Sequence, residues 1–379
     1  MSEISFKSIG LDRSRLFAMM GERGLDGLFF SSPENVFYTT GYPCLPSSGN
    51  PIIYALRNQL PFFSFAGNDK RFVLLAWAQA TMGVDYGVDD TRTWFTYPMA
   101  IEELTAFVRE AVKPGQTLGV DSIFPFFLTN IIQEQIPQVN IVEVDDLIRR
   151  LQIIKTKAEI ERIRMSTEII DKTVLELANS LHAGMTRLEL IHEAKTRLHA
   201  NGAHGVDHIT VAFGAANPEI ALDEQIESNQ IVTLDLGAIY DGYVSDNRRL
   251  VYTGATPSVL TKLHKELCSI VTEIGSALEP GNTFGEMHAL ATELYAKAGL
   301  DPMFLHVGHS VGLHVDEIWL MPDDPTMIEE GMVLNVELYS FCDEGVMIGD
   351  EETYVVTSTG PEKISTLPPE IIEHPLIHD

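Results

Sequence analysis

The segment TLDLGAIYDGYVSDNRR, residues 233–249, constrains the fold of this chain more tightly than any other. It sets an Asp-Gly pair, Asp241-Gly242, between two strand-like apolar runs. A two-residue hairpin loop of the favoured twist needs positive φ at its centre, so Asp-Gly between such runs is a strong hairpin signal. The loop then fixes the register: Tyr240 faces Tyr243, Gly237 faces Asp246, and Asp235 faces Arg248. Because side chains alternate between the two faces of a sheet, Asp235 and Asp246 share one face as diagonal neighbours. Two carboxylates held in that way repel each other unless positive charge lies between them.

A second pair of carboxylates occurs in GMVLNVELYSFCDEGVMIGDEETYVVT, residues 331–357. With an odd loop centred on Glu344, Glu337 and Glu351 sit directly opposite each other, a destabilising position for like charges. Between the two hairpins, LHVGHSVGLHVDE places His309 in a glycine-flanked turn. Either hairpin alone reads as an exposed turn, and a lone Gly-His-Ser is a weak signal. Together, Asp235, Asp246, His309, Glu337 and Glu351 form a set of hard oxygen and imidazole donors. Such a set suits two divalent ions, manganese first and cobalt or zinc as alternatives, sharing bridging carboxylates and a water. Their charge would relieve both repulsive pairs at once.

The 379-residue chain is long enough for two domains. The first 150 residues alternate helical and strand-like patterns, as expected of an α/β domain. Residues 14–42 read as helix, strand, then a helix opened by Ser32-Pro33-Glu34, with Gly24 stopping the first helix. Strand-like runs follow in QLPFFSF, RFVLLAW, TLGVDS and NIVEV, with an amphipathic helix over residues 101–112. Residues 151–379 open with one long amphipathic pattern. From Val211 onward they change to strands with alternating polar positions, plus helices near residues 257–278 and 284–298. That texture is α+β with a largely antiparallel sheet. The Pro-rich tail, STLPPEIIEHPLIHD, is expected to lie over the surface.

A formal charge of −28 argues against binding a phosphate backbone, which calls for a basic footprint. Cys44, Cys268 and Cys342 are odd in number and far apart, which indicates a reducing compartment without a disulfide framework. Neither a leader pattern nor a membrane-length apolar run occurs in the sequence. A cytoplasmic protein that binds neither membrane nor nucleic acid is expected.

The ordered set from Asp235 to Glu351 resembles the ligand set of the pita-bread metallohydrolases, the prolidase, aminopeptidase P and creatinase family. DLGAIYDGYVSDNRR is similar to that family's Asp-x-Gly…Gly-Tyr-x-Ser-Asp-x-Thr-Arg, GHSVGL to Gly-His-Gly-x-Gly-Leu, and GMVLNVE and EETYVVT to its two Glu motifs. RGLDGLFFSSPENVFYTTGY and IIKTKAEIERIR resemble the creatinase-type N-terminal segment and interdomain helix, so the likeness spans nearly the whole chain. It implies a creatinase-like domain over residues 1–150 and a pita-bread catalytic domain over residues 151–379. It further implies a homodimer, hydrolysis of an amide or related C–N bond of a small molecule or Xaa-Pro dipeptide, and Glu337 as the ligand that also shuttles a proton.

Several positions depart from the family pattern. No His occurs between Gly214 and Asp235, and GLHVDE carries Asp316 where the peptidases have their second His, with His314 displaced two residues upstream. An ionised Asp cannot donate a hydrogen bond, so Asp316 is expected to recognise a cationic substrate group, with His314 beside it in substrate binding. Arg248 replaces the family's Thr. It either shares the carboxylate face, pairing with substrate or displacing one ion, or is turned to solvent by a local bulge. Arg249 fits the family's Arg and suggests a structural salt link. These departures keep a creatinase-like specialised hydrolase or a lyase in view as an alternative, and a non-catalytic binding module as a remoter one. His204, His208 and His306 read as ordinary core or loop histidines, and Trp94 and Tyr97 as packing aromatics.

Overall fold

The computed structural model describes residues 4–214, 220, 223–301, 305–342 and 346–376. The chain divides into two compact units, Met1–Gln152 and Ile153–Asp379. In the first, a six-stranded mixed sheet runs in the order Asp90–Trp94, Phe72–Trp77, Phe63–Gly67, Gly27–Phe30, Thr117–Val120, Asn140–Glu143. Its central strands are buried on both faces, which explains their continuous apolar runs. Ser32 caps the helix Pro33–Thr40 by accepting from Asn35 N, and Gly41 ends it at φ 74°. Trp94, fully buried, belongs to the core with Phe29, Phe65 and Phe107, whereas Tyr97 is 41% exposed at the start of helix Tyr97–Ala111. The strand Asp90–Trp94 has no apolar run to announce it, because at the sheet edge its Asp and Arg side chains are half-buried, its Thr side chains exposed, and only Trp94 is buried.

The second unit contains two four-stranded sheets. One is ordered Ile372–Glu373, Tyr243–Tyr252, Ile231–Tyr240, Gly205–Phe213; the other is Gly308–Ser310, Val333–Phe341, Met347–Thr357, Gly360–Lys363. All pairings are antiparallel except that of Ile372–Glu373. Helices Lys157–Ala178 and Arg187–Ala200 pack with the first sheet, and Ser258–Ser276 and Phe284–Ala298 with the second. Reciprocal capping boxes, Thr156 with Glu159 and Thr186 with Glu189, start the first two. The first of them is the long amphipathic pattern that opens this half of the sequence, and Arg187–Ala200 follows after a short break.

The C-terminal tail differs from expectation. Ser365, Leu367 and Leu376 are buried, and Ile372–Glu373 adds a parallel strand against Val251 and Tyr252. Its prolines interrupt regular structure without forcing the segment outward, because the apolar residues between them find the core beside Val251. Among the described residues no helix is long and apolar enough to cross a membrane, and no disulfide is formed.

Candidate metal centre

Both hairpins form in the register their sequences dictate. Asp235 pairs with Arg248 and Gly237 with Asp246, across a turn with φ 49° at Asp241 and 87° at Gly242. Glu337 pairs with Glu351; the turn expected around Glu344 lies outside the described residues. Hydrogen bonds lock the two hairpins together. Asn335 Nδ2 and Thr353 Oγ1 both donate to the Asp246 carbonyl, at 3.3 and 3.1 Å. From the opposite face, the buried Arg249 donates to the Glu351 carbonyl at 3.0 Å and to Glu352 Oε1 at 2.9 Å. Arg249 is thus the structural link its position suggests, and it fixes the two carboxylate strands against each other.

His309 enters on the strand Gly308–Ser310, opposite Asn335. Gly308 has φ 145°, and a Cβ there would lie 1.9 Å from the Asn335 carbonyl, so only glycine lets this strand come so close. The loop beyond is held by Glu317, which accepts from Leu313 N at 2.9 Å and is bound by Lys155 at 2.5 Å, both side chains being buried. His309 Nε2 lies 3.8, 3.9 and 4.0 Å from oxygens of Asp246, Glu337 and Glu351. With metal–ligand bonds near 2.0–2.2 Å, two ligands of one ion stand about 3–4.3 Å apart. Ligand atoms of Asp246, His309 and Glu351 lie within 4.8 Å of one another, as do those of Asp235, Glu337 and Glu351, so the spacing fits one cation in each trio. Neither Glu351 oxygen accepts a hydrogen bond from any described residue, although the side chain is fully buried. Buried oxygens without donors are a costly arrangement that a cation resolves. Burial, together with the charges of Asp246, Glu337 and Asp235, pushes the Glu351 carboxyl well above its ordinary range. Burial also raises Asp246, with Asp235 adding to the effect against the opposing His208.

At Asp235 the surroundings are different. Arg248 is buried, not turned to solvent: its Nε donates to Asp235 Oδ2 at 3.1 Å, and Nη2 donates to the same oxygen. Nη2 is also 3.4 Å from Glu337 Oε1, and the guanidinium lies 4.3 Å from the centre of the Tyr339 ring. Tyr339, in turn, donates its hydroxyl to Glu337 Oε1. No bulge interrupts the pairing of the Asp-Gly hairpin, so Arg248 keeps the face its register assigns.

The irregularity lies instead on the neighbouring strand. The register between Gly205–Phe213 and Ile231–Tyr240 shifts between Leu236 and Ala238, leaving Asp207 and His208 opposite Gly237. This turns His208 onto the carboxylate face, where its Nε2 is 3.3 Å from Asp235 Oδ1 and 3.1 Å from Asp246 Oδ1. His208 is therefore part of the cage and not an ordinary loop histidine. Its only sequence signal is a register with Asp235, 27 residues further along the chain, which periodicity does not supply. Burial alone would lower the His208 imidazole, but Asp246 and hydrogen bonds to Asp207, Asp235 and Asp246 outweigh it and raise it well above the usual range. Arg248 and His208 likewise overcome the burial of Asp235 and hold its carboxyl below the usual range.

His314 and Asp316 are both exposed, outside the buried cage. The same loop brings other groups to its edge: Trp319 packs edge-on to His309, ring centres 5.2 Å apart, and His306 lies 4.2 Å from Trp319. The His306 imidazole is lowered, chiefly by burial, while Glu337 and Asp316 act in the opposite sense. Asp316 is thus felt electrostatically at the cage's edge without belonging to its ligand set. His204, by contrast, stacks on Tyr240 and accepts from Asp241 N at the hairpin tip, a structural position.

Comparison with known proteins places these features in a wider group. Residues 161–358 match the sequence model of metallopeptidase family M24, and residues 13–154 that of the creatinase/prolidase N-terminal domain. A Xaa-Pro dipeptidase of Pyrococcus furiosus is 26% identical over 374 residues, covering 94% of this chain and 98% of the relative. An uncharacterized peptidase of Staphylococcus aureus strain MW2 is 25% identical over 376 residues, covering 93% and 98%. Among solved structures, a Xaa-Pro dipeptidase from Bacillus anthracis shares the fold with a TM-score of 0.82 at 22% identity, covering 95% of this chain and 98% of that one. The prolidase from Pyrococcus furiosus does so with a TM-score of 0.78 at 24% identity, covering 93% and 99%.

Proposed function

Since this chain belongs to metallopeptidase family M24, we propose that it is a metal-dependent hydrolase acting on the amide bond of a small substrate, with Xaa-Pro dipeptides as the leading class. The observation that carries this reading is the buried cage itself: Asp235, Asp246, His309, Glu337 and Glu351 converge, with both Glu351 oxygens lacking donors among the described residues. These five residues would hold the divalent ions, manganese being the first to test. Such ions, when bound, supply Lewis-acid polarisation and an activated water at neutral pH.

The protein's own groups complete the site. Glu337 is the most accessible cage carboxylate, its side chain 12% exposed against 7%, 8% and 0% for Asp235, Asp246 and Glu351. That accessibility supports the role the family likeness implies for it, passing a proton to a leaving nitrogen, while Tyr339 and Arg248 contact its Oε1. Arg248 is a permanent cation beside Asp235, available to a substrate carboxylate only through the part of its fork that Asp235 leaves free. Asp316, exposed near His306, offers an anion to an amine-bearing substrate, with His314 on the same loop. Homodimer formation and a cytoplasmic setting complete the proposal, supported by the family likeness and by the odd number and wide spacing of the cysteines.

A panel of Xaa-Pro dipeptides, run with added Mn²⁺ or Co²⁺ beside amides lacking proline, tests the reading. Turnover across the dipeptides is expected. Silence on all of them, with cleavage of another C–N bond, would favour the specialised hydrolase, to which Asp316 at the peptidase-histidine position points. Within the same panel, Asp316→Ala should weaken binding of cationic or amine-bearing substrates several-fold while metal content stays at the wild-type value. Unchanged activity would leave Asp316 a surface residue.

A further inference from the structure

We infer that His208 is a metal ligand, supplying through Nε2 the coordination that Arg248 withdraws from Asp235. This rests on the metallohydrolase reading and concerns only how the Asp235 half of the cage is built. Arg248 directs both Nε and Nη2 at Asp235 Oδ2, so that oxygen is committed to a forked charge-assisted pair. Oδ1 alone remains open, and it faces His208 Nε2 at 3.3 Å, with Asp246 Oδ1 at 3.1 Å from the same nitrogen. Ligand atoms of His208, Asp235 and Asp246 all lie within 4.8 Å of one another, a spacing that one ion spans.

Three further observations point the same way. His208 Nδ1 is 3.0 Å from Asp207 Oδ2. A ligating imidazole usually gives its second ring N–H to a carboxylate, which fixes the tautomer and makes the ligating nitrogen more basic. The bulge at Asp207-His208 opposite Gly237 aims this pair at the cage, as bulges beside active sites commonly do. And Gly237 leaves the room: a Cβ there would stand 2.4 Å from His208 Nδ1 and 3.0 Å from Asp207 Cβ. The chain thus loses one carboxylate oxygen to Arg248 and gains an imidazole from the adjacent strand.

Metal content of wild type, His208→Ala and Asp207→Asn, purified without chelators and then dialysed against Mn²⁺, tests this by elemental analysis and Mn²⁺ paramagnetic resonance. We expect two ions per chain and a spin-coupled signal in wild type. His208→Ala should hold one ion, with an isolated six-line signal. Asp207→Asn, which keeps the imidazole, should still hold two, with the weaker ion bound about 10–100-fold less tightly. Circular dichroism establishes that each variant is folded. If wild type and His208→Ala hold the same number of ions, two or one, the assignment is overturned; with one in both, Arg248 and His208 together close the Asp235 half. No ion in any form would instead overturn the metallohydrolase reading beneath it.

Discussion

The two carboxylate hairpins solve the same electrostatic problem in opposite ways. At the Asp hairpin, the protein brings its own cation: Arg248 binds one Asp235 oxygen, and the imidazole of His208 faces the other. At the Glu hairpin, Glu351 is fully buried, and neither oxygen finds a donor among the described residues. The acid strengths follow, with Asp235 held low by its cationic neighbours and Glu351 pushed high by burial and like charge. A buried carboxylate beside a guanidinium is already compensated, whereas one facing other carboxylates is stable only with a bound cation or a proton. The Glu half, with His309, is therefore where an ion is most needed.

The contrast can be broken most severely at Glu351. Glu351→Gln removes a ligand from the uncompensated half, and activity should fall by more than about 100-fold, beyond the 10–100-fold usual for supporting residues. Elemental analysis should show the accompanying loss of metal; full retention of both would mean Glu351 is not a ligand. The next largest effect is expected at Arg248. In chelator-stripped protein, Arg248→Ala leaves Asp235 without its buried partner and should cost about 3–5 kcal/mol of stability, measured by urea unfolding. The loss should shrink when Mn²⁺ is restored; an equal loss with and without metal would point to packing against Tyr339 as the cause.

The smallest effect sharpens the comparison through pH. The raised carboxyls of Glu351 and Asp246 contribute stability that is full below the ordinary carboxylate range and lost as pH rises through their folded values. The raised His208 acts in the same sense, its contribution being lost as pH rises through its own elevated value. Asp235, with its depressed value, changes stability only below the ordinary carboxylate range. Stripped protein should therefore become more stable as pH falls from about 8 to 5. Metal-loaded protein should lose its advantage over the same interval, because protons compete for the ligands. Parallel melting curves for the two forms would show that the cage carboxylates do not dominate this dependence.

Much of the site is legible in the sequence because hairpin geometry is local. A two-residue Asp-Gly loop leaves no freedom in which residues face each other, so Asp235, Asp246 and Arg248 follow from counting. The same holds for Glu337 opposite Glu351 once the loop is taken as odd. His208 was hidden for the complementary reason: its direction depends on a bulge between strands joined by a long connection. The tail was hidden as well, since prolines describe its backbone but not whether Leu367 and Leu376 find a core. His314 and Asp316 could be placed by motif alignment, yet only the folded loop decides that they stay exposed while Glu317 turns inward to Lys155.

By itself, then, the sequence determined the two hairpins, their facing residues, the histidine loop between them and the α/β-then-α+β order of the chain. These depend on alternation and on turns a few residues long. The tertiary structure alone decided that Asp235 is neutralised by Arg248 while Glu351 is left without a donor among the described residues. Charge compensation depends on distances of about 3–4 Å between groups remote in the chain, and a register shift of a single residue on a neighbouring strand is enough to create or remove it.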